Sequence, residues 1–189
     1  LMHSVIAIRT HIQFVERLVD FDAVIATGSN NSSRYFDYYF GKVPHIIRKN
    51  RSSVAILSGK ETAQDIAKLG NDIFDYFGLG CRNVSKIYIP EGYDIHSFFA
   101  PLEPFQPIIN HFKYNNNYDY NKSIYLVNSV KHFDNGFLLL REEQGFVSPL
   151  ATLFYETYTD VDNLETQLRA NIEQLQCVVA SKGTLRTIE

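Results

Sequence analysis

The sequence predicts an α/β fold, a layered mixed sheet with flanking helices. Three observations carry that expectation. Apolar runs of strand length alternate along the chain with stretches of helical apolar spacing. Clusters of Gly, Pro and Asn punctuate the junctions between them. Hydrophobic residues make up 45% and charged residues 21% of 189 positions, enough to bury a core and too apolar for a disordered chain.

Taken in order, His11–Asp20 places Ile12, Val15, Leu18 and Val19 at helical spacing and predicts a helix. Phe21–Ala26 reads as a buried strand. It runs into Thr27-Gly28-Ser29-Asn30-Asn31-Ser32-Ser33, a glycine turn and a Ser/Asn cap, with Arg34–Phe40 as the helix that follows. Strands are expected at Pro44–Ile47 and Ser53–Leu57. Glu61–Phe77 carries an amphipathic stripe of Ile66, Leu69, Ile73, Phe74 and Phe77. Ser85–Ile89 is a strong strand stopped by Pro90-Glu91-Gly92. Prolines at 101, 104 and 107 make Phe99–Pro107 a loop leading into a helix near Ile108–Tyr114. The Asn-rich tract Asn115–Asn121 reads as a polar turn, followed by strands at Ser123–Asn128, Phe137–Arg141 and Thr152–Tyr158. Asp162–Gln174 is expected as a helix capped by Asp160 or Asp162, and Gln176–Ala180 as the last strand.

Several function classes are disfavoured at once. The net charge is −3 and the basic residues are scattered, whereas a nucleic-acid binder needs a basic stripe along the phosphates. No apolar run approaches the roughly 20 residues of a membrane span. Residues 1–10 lack the build of a signal peptide. The two cysteines, Cys81 and Cys177, stand far apart in no disulfide or zinc spacing, which predicts a reducing, cytoplasmic setting. The six histidines form no HxxxH or HExxH pair, so no metal site is expected.

Three places hold residues with chemical potential. Cys81 follows Gly78-Leu79-Gly80 and precedes Arg82, on a turn between a long helix and a strand. Glycines let backbone N–H groups approach a ligand or a developing oxyanion, and a neighbouring guanidinium favours the thiolate. The same residues also suit a small cysteine simply packed in a turn. Thr27-Gly28-Ser29-Asn30, between strand and helix, offers backbone N–H groups to a phosphate, or is an ordinary turn. His45, ahead of Arg48, Lys49 and Arg51, has the chemistry to activate a thiol beside a basic patch for an anionic substrate, or is a strand histidine near a solvated turn.

Three blocks join these places. They are Val24-Ile-Ala-Thr-Gly-Ser-Asn-Asn-Ser-Ser-Arg-Tyr-Phe36, Pro44-His-Ile-Ile-Arg-Lys-Asn-Arg-Ser-Ser-Val-Ala-Ile-Leu-Ser-Gly59 and Tyr76-Phe-Gly-Leu-Gly-Cys-Arg-Asn-Val-Ser-Lys86. In this order they resemble the acyl-CoA reductase (LuxC-type) family, the fatty-acid reductase component of bacterial bioluminescence, within the aldehyde dehydrogenase superfamily. The similarity runs from about Phe21 to Ala180.

The resemblance implies a mechanism. Cys81 matches the nucleophile that takes the acyl group from an acyl-CoA, and the acyl-enzyme is reduced by NADPH, or by NADH, to an aldehyde. Thr27, Gly28, Ser29 and Asn30 match the turn beside the nicotinamide and pyrophosphate. Glu142 or Glu143 resembles the glutamate that binds the nicotinamide ribose. The superfamily's general-base glutamate has no counterpart in Pro44-His-Ile-Ile-Arg-Lys49, and His45 takes its place as the proton-transfer group for Cys81. The resemblance also implies residues 1–43 as the end of a cofactor-binding region and 44–189 as the catalytic domain, cut short and without reductase activity on its own. It further implies a homo-oligomer and acyl-transferring partner enzymes. The alternatives are a cofactor-independent cysteine acyltransferase or thioesterase, and a non-catalytic oligomerisation remnant.

Overall fold

The structure, a computed structural model, describes residues 12–28, 30–181 and 183–185. The chain divides into two compact units, one up to Asn50 and one from Arg51.

In the first unit, β1 (Val24–Gly28) and β2 (His45–Lys49) form a parallel pair with Thr27 opposite Arg48. The helix α1 (Asn30–Phe40) connects them. Gly28 is required by close approach, since a Cβ there would lie 2.8 Å from the Ser32 Cβ and 3.1 Å from the Phe36 ring. Phe40 packs edge-on against Phe21 at 5.6 Å and stacks with Phe36 at 6.0 Å. The helix expected over His11–Asp20 does not form. His11 lies outside the described residues, and 12–20 is an exposed stretch of coil and bends. Ile12, Val15, Leu18 and Val19 have helical spacing but stand exposed among the described residues, and a segment this short is not helical without a surface to pack against.

The second unit is a six-stranded sheet in the order β5-β6-β7-β4-β3-β8. Its strands are β3 (Ser52–Ile56), β4 (Val84–Pro90), β5 (Phe133–Asp134), β6 (Leu139–Glu142), β7 (Thr152–Tyr158) and β8 (Leu175–Ala180). All pairings are parallel except β5 with β6, so the sheet is mixed, as expected. Each face has its own core, and alternation sorts the residues between them. Ala55, Leu57, Ile87, Ile89 and Leu153 lie on one face, beneath α2 (Ala63–Phe74), α3 (Ile95–Phe99), a 3₁₀ segment (Ala100–Asn110) and α4 (Phe112–Val127). Val54, Ile56 and Tyr88 on the other face meet Leu164 and Leu168 of α5 (Val161–Ala170).

The helix read as Glu61–Phe77 starts two residues later, at a capping box between Thr62 and Asp65, and ends at Phe74. Gly70 admits the Phe105 ring, which a Cβ would approach to 2.3 Å. The proline-rich stretch is helical but of the tighter 3₁₀ kind, because prolines withhold the N–H groups an α-helix needs.

The largest departure is α4. The polar turn expected at Asn115–Asn121 and the strand at Ser123–Asn128 are one continuous helix. Its buried residues, Tyr114, Tyr118, Asn121 and Tyr125, recur at helical spacing. Each tyrosine buries a ring while two also place a hydroxyl: Tyr114 donates to the Phe137 carbonyl at 2.9 Å and Tyr118 to Asp134 at 2.6 Å. Asn121 donates to the Leu150 carbonyl at 2.8 Å.

Candidate functional site

Cys81 is exposed on the turn between the end of α2 and the start of β4. The backbone just before it is strained. Tyr76 (φ 53°), Phe77 (φ 60°) and Gly78 (φ 72°) are all left-handed, which is costly for two aromatic residues and persists only where the surroundings over-determine it. Asn83 supplies that determination. Its Oδ1 accepts from the Gly80 N–H at 2.7 Å, and its Nδ2 donates to the carbonyls of Asp72 at 3.0 Å and Asp75 at 2.8 Å. The Asn83 N–H closes the turn on the Gly80 carbonyl at 3.0 Å. A Cβ at Gly80 would stand 2.8 Å from Asn83 Oδ1, so glycine is needed for this contact.

Beneath the turn, the fully buried Ser53 donates its hydroxyl to the Cys81 carbonyl at 3.0 Å. Both neighbours of β3 bulge at this level. Ser85 is the extra residue in β4 and Gln176 in β8. The bulge aims the Ser85 hydroxyl at the Phe146 carbonyl, to which it donates at 2.6 Å. The loop 143–151 thereby returns from β6 past the sheet to the neighbourhood of the Cys81 turn, where the Leu150 side chain lies against Gly78. Tyr76, Phe77 and Leu79 are exposed apolar residues beside Cys81. Phe77 stacks on His111 at 3.9 Å.

The remaining expected site residues are distributed differently. Glu142 is exposed at the end of β6, opposite Tyr155. The neighbouring Glu143 is already engaged, its carboxylate accepting from Arg141 at 2.8 Å and from the Gln144 N–H at 3.0 Å. Cys81 and the Glu142–Glu143 stretch thus both stand on the second unit, and the loop after Glu143 is fastened to the sheet at Ser85. Thr27, Gly28, Asn30 and His45 stand on the first unit, and Ser29 lies outside the described residues. His45 is exposed, and its Nδ1 is 2.8 Å from the Val43 carbonyl. A carbonyl only accepts, so Nδ1 is the donor of this contact.

Sequence reasoning did not find Ser53, Asn83, Ser85 or Lys86. The signal was available in part, because Ser53, Ser85 and Lys86 are polar residues inside runs that otherwise read as buried strand.

A cavity of about 190 Å³ opens elsewhere, between α2 and the ends of β3 and β8, lined by Leu57, Leu69, Val179 and the carboxylates of Glu61, Asp65 and Asp72. Among the described residues no group of three His, Cys, Asp or Glu is placed to hold a metal ion, and no helix is long and apolar enough to cross a membrane.

No protein-family model matches this sequence, and no curated protein does. Solved structures do match in fold. An indole-3-acetaldehyde dehydrogenase in complex with NAD+ superposes with a TM-score of 0.53 at 10% identity, over 84% of this chain and 44% of its own. Aldehyde dehydrogenase 21 from Physcomitrella patens, in complex with the reaction product succinate, gives 0.57 at 13% identity, over 89% and 46%. Proline utilization A from Bradyrhizobium japonicum gives 0.58 at 14% identity, over 88% and 23%. The chain spans less than half the length of each of these proteins. Its fold is that of an aldehyde-dehydrogenase-like α/β domain.

Proposed function

We propose that this chain carries the nucleophilic part of a nicotinamide-dependent oxidoreductase of the aldehyde/thioester class, and that its substrate is a fatty acyl-CoA. The observation that carries this reading is Cys81 itself. It is exposed, lies on a turn fixed by Asn83 and Ser53, and is flanked by the outward-facing apolar side chains of Tyr76, Phe77 and Leu79. That surround suits a hydrocarbon tail. The aldehyde-dehydrogenase-like fold supports the reaction class.

In this mechanism the Cys81 thiolate attacks the thioester carbonyl carbon. The carbon–sulfur bond to coenzyme A breaks, the departing thiolate takes up a proton, and the acyl group remains on Cys81 as a thioester. The Cys81 backbone N–H is the oxyanion donor we assign. His45, an imidazole held by Nδ1 at the Val43 carbonyl, is the proton carrier we assign in this scheme.

The first unit's residues fit an anionic cofactor. Gly28 lets α1 begin tight against the end of β1, and the exposed Arg48 stands opposite Thr27 on the parallel partner strand. Thr27, Gly28, Ser29 and Asn30 would hold the pyrophosphate side and Arg48 would favour NADPH. Of the two glutamates, Glu142 is the one whose carboxylate is not held by Arg141, and we assign it to the ribose hydroxyls. Bound NADPH would supply the hydride that reduces the acyl group to the aldehyde.

The test is direct. Incubation with a long-chain acyl-CoA is expected to add one acyl group to the protein, seen by mass spectrometry, and Cys81→Ala is expected to abolish it. An adduct that survives Cys81→Ala sinks the assignment. An adduct that turns over in water without cofactor points instead to a cofactor-independent acyltransferase or thioesterase.

A further inference from the structure

Lys86 is fully buried, an unusual place for an ammonium group. Its Nζ pairs with Glu156 on the adjacent strand β7 at 2.6 Å and donates to the Gln144 carbonyl at 2.8 Å. It lies between two aromatic faces, 4.8 Å from the Tyr88 ring centroid and 5.4 Å from that of Phe146. These four partners belong to two parts of the fold. Glu156 and Tyr88 belong to the sheet, whereas Gln144 and Phe146 belong to the loop that links Glu143 to β7. The neighbouring Ser85 fastens the same loop by the Phe146 carbonyl.

We infer that Lys86 is a positioning residue. Its charge pins the loop 144–150 to the sheet, and that loop is one wall of the Cys81 surface. A purely structural role is a poor account of it. Burying the Lys86 ammonium beside a partly exposed Glu156 costs desolvation that an apolar residue would not, and the surrounding face is apolar, formed by Val54, Ile56, Leu164 and Leu168. What an apolar pair would lack is any hold on the Gln144 carbonyl or on the loop's position. This inference rests on the proposed role of Cys81 for its functional part.

The experiment compares the wild-type chain with Lys86→Met/Glu156→Leu, which removes both charges together and leaves neither stranded, and with Lys86→Arg, which keeps a cation. The double variant is expected to keep or raise its urea midpoint. Amide hydrogens over 144–148 are expected to exchange faster, and Cys81 acylation by a long-chain acyl-CoA to slow on the order of tenfold or more. Lys86→Arg is expected to restore both. Unchanged exchange at 144–148 in the double variant overturns the pin. Faster exchange with an acylation rate within about twofold of wild type overturns its role in the site. Should the wild type form no adduct at all, the functional reading fails, while the exchange measurement still decides whether Lys86 holds the loop.

Discussion

In the unit up to Asn50, two five-residue strands and one helix enclose a single core residue among those described, Val24, while Ile25 and Ile46 sit in register on an open face at 78% and 57% exposure. From Arg51 onward the sheet has packed cores on both faces, and Val54, Ile87 and Leu153 are wholly buried. Two strands and a helix are near the lower limit of what is stable in water, whereas a sheet covered on both faces supports a rigid turn at the start of an interior strand. Cys81, a residue whose geometry must be exact to react, stands on the second unit. Of the residues assigned to a diffusible cofactor, Thr27, Gly28, Asn30 and Arg48 stand on the first and Glu142 on the second.

The contrast is broken most readily by comparing two truncations. Leu153→Ala in the two-faced sheet is expected to cost about 2–5 kcal/mol, and Val24→Ala about 1–2 kcal/mol, read as shifts of urea midpoints. Equal costs would show that the first unit is as firmly built as the second. A smaller effect concerns the Cys81 turn alone. Asn83→Ala removes three contacts that hold left-handed Tyr76 and Phe77 in place, and is expected to cost about 1–3 kcal/mol while loosening amide protection over 76–83. Loss of stability with unchanged protection there would mean that the turn is held by something else.

The smallest effects are in pH. Burial opposes the charge on Asp134, but hydrogen bonds from Lys122, Tyr118 and the Gly136 N–H overcome it and hold its carboxyl below the usual range. The same balance lowers Glu61, where bonds from Ser58 and Gly59 outweigh burial. A depressed carboxyl stabilises the fold above its unfolded pKa and loses that contribution as pH falls through the folded one, so stability should decline in acid below about pH 4. In alkali, burial and the hydrogen bond to Asp134 push Tyr118 up to about 12. The unfolded chain ionises first, so stability should fall again from about pH 10 toward that value. Denaturation midpoints across pH check both limbs. Tyr118→Phe should remove the alkaline limb only in part, because burial also raises Tyr88 and Tyr114.

Much of this was legible in the chain because the second unit obeys local rules. The strands at Ser53–Leu57, Ser85–Ile89 and Thr152–Tyr158 are near-continuous apolar runs, as strands buried on both faces must be. The glycine-flanked cysteine turn was equally plain. The tyrosine helix was not, because Asn and Tyr between 112 and 127 carry no apolar stripe by composition; only the burial of three rings, two of them with bonded hydroxyls, makes one face a core. The helix expected at His11–Asp20 erred in the opposite sense: over residues 12–20 the apolar positions have the right period but stand exposed.

The sequence alone determined the alternation of strands and helices, the mixed sheet and the turn that presents Cys81. These follow from backbone propensity and apolar period, which act over a few residues. Tertiary structure decided what fixes that turn. Ser53 lies 28 residues from Cys81, and Lys86 reaches Gln144 and Glu156 across 58 and 70 residues. Hydrogen bonds and buried charges act over a few ångströms, and only the order β5-β6-β7-β4-β3-β8 brings such distant residues within that reach.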